Sequence, residues 1–167
     1  MKRTFYITTP IYYASGRIHI GHAYCSIMAD IIARYKKDCG YDVYFLTGAD
    51  EHGQKIAEKA KAENLSPQEY VDKISDSFKA NWKDLKIKYD QFIRTSSKKH
   101  EECVQKVFER LLAQGDIYKS TYSGWYCTPC ESFWTETQVG EEHLCPDCHR
   151  PVHKDEEESY FLNVKKY

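Results

Sequence analysis

His19 and His22 flank Gly21 in the run His19-Ile20-Gly21-His22. Three residues apart at a helix start, two imidazoles can face one ligand. Their N–H groups can then donate to oxygens that gain negative charge in phosphoryl or nucleotidyl transfer. Each such donor is typically worth about 2.7–4 kcal/mol in a barrier. Gly21 has no Cβ and lets backbone approach a flat ligand. A helix beginning here offers free N–H groups and its positive end to phosphate. The plain alternative is two surface histidines on a helix cap. The position between a strand-like and a helix-like segment favours the chemical reading.

A second run, Thr47-Gly48-Ala49-Asp50-Glu51-His52-Gly53, sets three ionisable residues in a row between glycines. A carboxylate there could hold a substrate ammonium, against the alternative of a polar turn. Seven cysteines are present, and four form two pairs, Cys127-x2-Cys130 and Cys145-x2-Cys148, separated by 14 residues. Four thiolates at this spacing give a closed tetrahedral Zn²⁺ site, which is structural because it keeps no open position. His143, His149 and His153 stand close enough in sequence to replace one sulfur, Cys148 above all. Cys25, Cys39 and Cys103 lack such spacing and read as buried or neutral thiols.

The elements that must position these groups follow from periodicity. Arg3–Thr9 reads as a buried strand ending at Pro10, followed by a loop over residues 10–22. A helix follows over about His22–Asp38, with Tyr24, Ile27, Met28, Ile31, Ile32 and Tyr35 at helical spacing and Gly40 just past its end. Asp42–Thr47 is a second strand, and a short helix runs to about Asn64. Ser66-Pro67-Gln68-Glu69 is a capping box whose helix buries Val71, Ile74, Phe78, Trp82 and Leu85. Gln91–Thr95 is a third strand, and Lys98–Gln114 a helix with Val104, Val107, Phe108, Leu111 and Leu112 inward. Alternating strands and helices predict an α/β fold with a parallel sheet. Both loops then lie beyond the C-terminal ends of adjacent strands, where such sheets bind ligands. From about Ile117 the texture changes to short strands, Gly, Pro and the cysteine pairs, as expected of a small inserted metal module. Lys154–Glu158 reads as a solvated charge run.

Composition bounds the partners. A net charge of −1 excludes a wholesale basic coat for nucleic acid. The charge is uneven: residues 1–41 carry six basic and two acidic groups, and residues 131–158 two basic and nine acidic. No run approaches the roughly 20 apolar residues that span a bilayer. Met1–Phe5 lacks the apolar core of a signal peptide, so a cytoplasmic protein with no membrane partner is expected. An odd cysteine count in a reducing compartment argues against disulfides.

His19-Ile20-Gly21-His22 resembles the HIGH signature of class I aminoacyl-tRNA synthetases. Pro10-Ile11-Tyr12-Tyr13-Ala14-Ser15-Gly16, the run from Thr47 to Gly53, Gly124-Trp125-Tyr126-Cys127 and Glu158-Ser159-Tyr160-Phe161 resemble the methionyl family within that class. The resemblance covers residues 3–167, with Ser15 standing where that family usually has Asn. It implies a Rossmann-like catalytic domain, residues 1–116 being its first half. Residues 117–153 would then be a zinc-binding connective insert and 154–167 the start of the return. The implied reaction joins L-methionine and ATP, with Mg²⁺, to methionyl-adenylate and transfers methionine to tRNA(Met). By position, Ile11, Tyr13 and Asp50 resemble methionine-binding residues, Asp50 receiving the ammonium. His19, Gly21 and His22 resemble the ATP-binding signature, with the two histidines catalytic, and Cys127, Cys130, Cys145 and Cys148 resemble the zinc knuckle. No KMSKS-like segment occurs, so the chain is expected to be an N-terminal portion, inactive by itself. Two other readings fit parts of the pattern: another HxGH nucleotidyltransferase, and a non-catalytic zinc-ribbon protein that binds RNA or a partner.

Overall fold

The computed structural model describes residues 2–167. The chain forms two compact units, one reaching to Val104 and the other running from Gln105 to Tyr167.

The first unit is built on three parallel strands in the order β1-β2-β3: β1 (Thr4–Tyr13), β2 (Asp42–Asp50) and β3 (Gln91–Arg94). Helix α1 (Ile20–Asp38) connects β1 to β2. Helices α2 (Gln54–Ala62) and α3 (Pro67–Asp84) connect β2 to β3. This is the parallel α/β arrangement that the alternating pattern predicts. Two strands run further than the sequence suggests. β1 continues past Pro10 to Tyr13 because its pairing with β2 shifts register between Thr8 and Ile11. Proline supplies no ladder donor and is accommodated at such an irregularity. β2 likewise runs to Asp50, absorbing half of the expected loop.

The core is held mainly by α3. Ser66 and Glu69 cap its start reciprocally, and Tyr70, Val71, Ile74, Phe78 and Trp82 are buried in a cluster with Tyr12, Phe45 and Ile56. Leu85, expected inside, is the exposed C-cap. In α1 the buried residues are Ser26, Ala29, Asp30 and Ala33. Its large apolar side chains, among them Tyr24, Ile31 and Tyr35, are exposed. Small residues let the helix approach the sheet closely, so the buried stripe is the one that periodicity of large side chains overlooks. Helix α4 (Lys98–Ala113) forms, but the inward face expected for it is not buried: Val104, Val107 and Leu112 are exposed. An amphipathic period marks a face that can be covered, and no residue of this helix is buried.

The second unit contains an antiparallel sheet in the order β5-β4-β6: β4 (Ile117–Cys127), β5 (Ser132–Trp134) and β6 (His153–Leu162). A single turn of helix, α5 (Glu136–Val139), follows β5. The acidic run Lys154–Glu158 is part of β6, paired with β4 residue by residue from Thr121 to Trp125. Its side chains are exposed, as the solvated reading expects, while its backbone is satisfied on one side by the ladder. Its charges suit an edge, where they discourage pairing with another chain. No helix among the described residues is long and apolar enough to cross a membrane.

Candidate active site and cysteine centre

His19 is the N-cap of α1, in extended conformation. Its Nδ1 accepts from the Gly21 N–H at 3.1 Å, and the Nδ1 of His22 accepts from the His19 N–H, also at 3.1 Å. Two histidines thereby do what Ser and Glu do in a capping box. An Nδ1 that accepts cannot carry a hydrogen, so each neutral ring carries its hydrogen on Nε2. The ring centroids lie 4.0 Å apart, inclined by 35°. Burial, and then the neighbouring His19, lower the His22 pKa and keep that ring a neutral donor. A Cβ on Gly21 would lie 2.9 Å from His19 Cε1. The glycine therefore makes room for the His19 ring, a closer neighbour than the flat ligand expected from sequence. Tyr12, buried beneath, packs edge-on against His22 at 4.8 Å and shares a 2.7 Å hydrogen bond with Ser26.

β1 and β2 place the other candidates. Ile11 pairs with Gly48 and Tyr13 with Asp50. Alternation then puts Ile11, Tyr13, Gly48 and Asp50 on one face of the sheet, and Tyr12 and Ala49 on the other. Tyr12 and Ala49 are in the core, whereas Ile11 is exposed and Tyr13 and Asp50 are half-buried. The register shift before Ile11 sets this alternation. Tyr13 is closely framed: a Cβ on Gly53, whose φ is +131°, would sit 2.2 Å from the tyrosine hydroxyl oxygen. Any side chain at this N-cap of α2 would displace it.

The three ionisable residues that sequence grouped together part company. Asp50 remains at the strand end, where the Thr95 hydroxyl donates to its Oδ1 at 3.4 Å. Glu51 turns inward, with a fully buried side chain. There it accepts from Arg94 Nε at 2.7 Å and from the hydroxyls of Ser75 and Ser96. Arg94 also donates to Asp72 at 2.6 Å. Burial opposes the Arg94 charge, but Glu51 and Asp72 outweigh it and raise its pKa. Its hydrogen bond in turn lowers the pKa of Asp72. His52 points outward, its Nε2 3.3 Å from the Thr95 carbonyl. Arg94, Thr95 and Ser96 were not singled out by sequence. Their one signal was position, at the C-terminal end of the third parallel strand.

In the second unit the four cysteines converge, their Sγ atoms all lying within 4.8 Å of one another. Cys127 and Cys148 are 3.5 Å apart, and Cys130 and Cys145 3.8 Å. A tetrahedron with Zn–S of about 2.3 Å has edges of about 3.8 Å, so the donor set fits a zinc ion. The pairs are built alike. The Cys130 N–H donates to the Cys127 sulfur, and the Asp147 and Cys148 N–H groups donate to the Cys145 sulfur. The residue after each second cysteine is left-handed: Glu131 at φ 52° and His149 at φ 55°. Burial opposes a thiolate at Cys145, yet those N–H groups bring it down to about 7. Cys130 is pushed up to about 12, by its hydrogen bond with Cys148 first and then by burial. A dication among these sulfurs would favour the thiolate at each. Of the histidines considered as ligands, His143 stacks on Trp125 at 4.1 Å and His153 meets the edge of Tyr126 at 5.8 Å. Cys25, Cys39 and Cys103 are all exposed, which removes the buried alternative of the buried-or-neutral reading. They lie on or next to the outward sides of α1 and α4.

Comparison with known proteins converges on one group. The family described as tRNA synthetases class I (M) matches residues 5–161. The chain is 58% identical over 166 residues to a methionine–tRNA ligase of Clostridium tetani, covering 99% of this chain and 26% of that protein. It is 54% identical to the methionine–tRNA ligase of Thermotoga maritima, with 98% and 26% covered. Among solved structures, Mycobacterium tuberculosis methionyl-tRNA synthetase bound by methionyl-adenylate superposes with a TM-score of 0.88 at 39% identity, over 99% of this chain and 33% of that one. The chain thus spans about a quarter of the length of the relatives it matches. The family match runs through both the strand-end loops and the cysteine pairs. That favours neither a different HxGH nucleotidyltransferase nor a free-standing zinc ribbon.

Proposed function

Because this chain belongs to the class I tRNA synthetases of the methionine type, we propose that it carries the amino-acid and ATP-binding side of a methionine–tRNA ligase. In this reading L-methionine and ATP, the latter with Mg²⁺, form methionyl-adenylate, and methionine then passes to tRNA(Met). The observation that carries it is the pair of imidazoles tied by Nδ1 to backbone N–H groups at the start of α1. Both Nε2–H groups are left to donate to phosphate oxygens as charge builds on the α-phosphate and pyrophosphate leaves. Each is fixed before the substrate arrives, so little reorganisation accompanies the reaction. Asp50 receives the methionine ammonium, and Ile11 and Tyr13, on the same sheet face, border the side chain. Cys127, Cys130, Cys145 and Cys148 hold one Zn²⁺, which supplies folding energy to the second unit and takes no part in the chemistry.

The test is methionine-dependent exchange of pyrophosphate into ATP by the zinc-loaded protein. His19→Ala and His22→Ala are each expected to slow exchange by about a hundredfold or more, with methionine affinity little changed. Absence of methionine-dependent exchange, or full activity in both variants, contradicts the proposal.

A further inference from the structure

The strand-end site contains a second layer that the reading above does not use. Glu51 is buried and multiply bonded, yet it directly follows the carboxylate assigned to the substrate. Its side chain and its backbone are both tied to the end of β3. Arg94 and Ser96 bind the carboxylate, and the Thr95 hydroxyl accepts from the Glu51 N–H at 2.8 Å. That same hydroxyl has one hydrogen to give, and it points to Asp50 Oδ1 at 3.4 Å. The Thr95 N–H meanwhile bonds the Ala49 carbonyl at 3.3 Å, so three consecutive residues of each strand end are laced together.

This lacing has a direction. A hydroxyl that accepts from a fixed N–H has its donor direction restricted. Glu51 N–H thus orients Thr95, and Thr95 orients one oxygen of Asp50, leaving the other oxygen to a ligand. The Glu51–Arg94 pair keeps the turn that carries both from swinging into solvent. Its buried position suits this role: Glu51 forgoes contact with water, and Arg94 and the two serines satisfy it in exchange. Asp72 on α3 anchors the far side of the guanidinium, so the clamp is fastened to the helix that holds the core.

We infer that Glu51 and Thr95 are positioning residues for the Asp50 carboxylate, with Arg94 as the buried counter-charge that locks them in place. The inference rests on the reading of Asp50 as the acceptor of the methionine ammonium. It adds that recognition of the amino acid depends on an aligned oxygen as well as on a negative charge.

The experiment uses steady-state pyrophosphate exchange on the zinc-loaded protein, with KM for methionine, KM for ATP and kcat measured separately. Thr95→Val keeps shape and removes the hydroxyl. It is expected to raise the methionine KM about tenfold, with the ATP KM unchanged. Thr95→Ser, which restores the hydroxyl, is expected to return the methionine KM to near its original value. Glu51→Gln should raise the methionine KM in the same selective way. Should that variant fail to fold, the threonine pair decides alone. Asp50→Asn separates the two layers. If it raises the methionine KM while Thr95→Val does not, the positioning role is overturned and the ammonium reading stands. If it leaves the methionine KM unchanged, the ammonium reading fails and the positioning role with it. Equal increases in both KM values for Thr95→Val, without rescue by Thr95→Ser, would reduce Thr95 to a structural residue and overturn the inference.

Discussion

The strand-end site and the cysteine centre hold their reactive groups by opposite means. At the strand ends, neutral hydrogen bonds and a buried ion pair complete the geometry with no ligand needed. His19 and His22 are fixed by backbone N–H groups, and Glu51 is matched by Arg94 and two serines. At the cysteine centre the sulfurs crowd within 4.8 Å, one thiol pushed up to about 12 and another down to about 7. Ionising all four there requires a cation. One site is organised by the fold, whereas the other contributes to organising it. Damage to each should therefore register in its own unit.

Metal removal is the largest expected effect. Structural zinc contributes about 10–16 kcal/mol in small peptides, more than the rest of a 63-residue unit's core is expected to supply. Cys127→Ser combined with Cys145→Ser should abolish stoichiometric zinc in atomic absorption. Amide-exchange protection should be lost over β4–β6 and persist over β1–β3. One retained equivalent of zinc, or loss of protection spread evenly over both units, would break the comparison.

A smaller effect of opposite placement is expected from Arg94→Met. It leaves the Glu51 carboxylate buried with two hydroxyls and no counter-charge, a change that costs about 3–5 kcal/mol. Urea unfolding followed through Trp82, buried in the first unit, should shift to a lower midpoint while zinc content stays unchanged. An unaltered midpoint would mean that the pair contributes nothing to the preformed site.

These two sites were not equally legible in the sequence. The histidine cap is local, its bonds spanning two or three residues, and each cysteine knuckle closes within a few residues before the two pairs meet; residue type plus spacing specifies both. The parallel sheet was legible too, because alternating strands and helices leave few topologies open. The clamp was not. Asp50 and Glu51 look equivalent in sequence, and it takes Arg94, 43 residues away, together with Ser75 and Ser96 to draw one of them inward. The faces of α1 and α4 misled for a related reason. Periodicity shows that a face is apolar, and burial depends on what packs there. In α1 small residues took the contact. The acidic run in β6 is solvated as expected, but its strand character comes from β4 across the ladder, which residue type does not show.

In the proposed function, the strand ends bind methionine through Asp50 and ATP through the histidine cap. Calorimetric titration of the zinc-loaded protein with methionine and, separately, with ATP tests this most directly. Asp50→Ala should weaken methionine by about 2–5 kcal/mol, some thirtyfold or more, because it removes the counter-charge to the ammonium. ATP affinity should stay near its original value. Equal methionine affinity in the original protein and in Asp50→Ala would contradict the account.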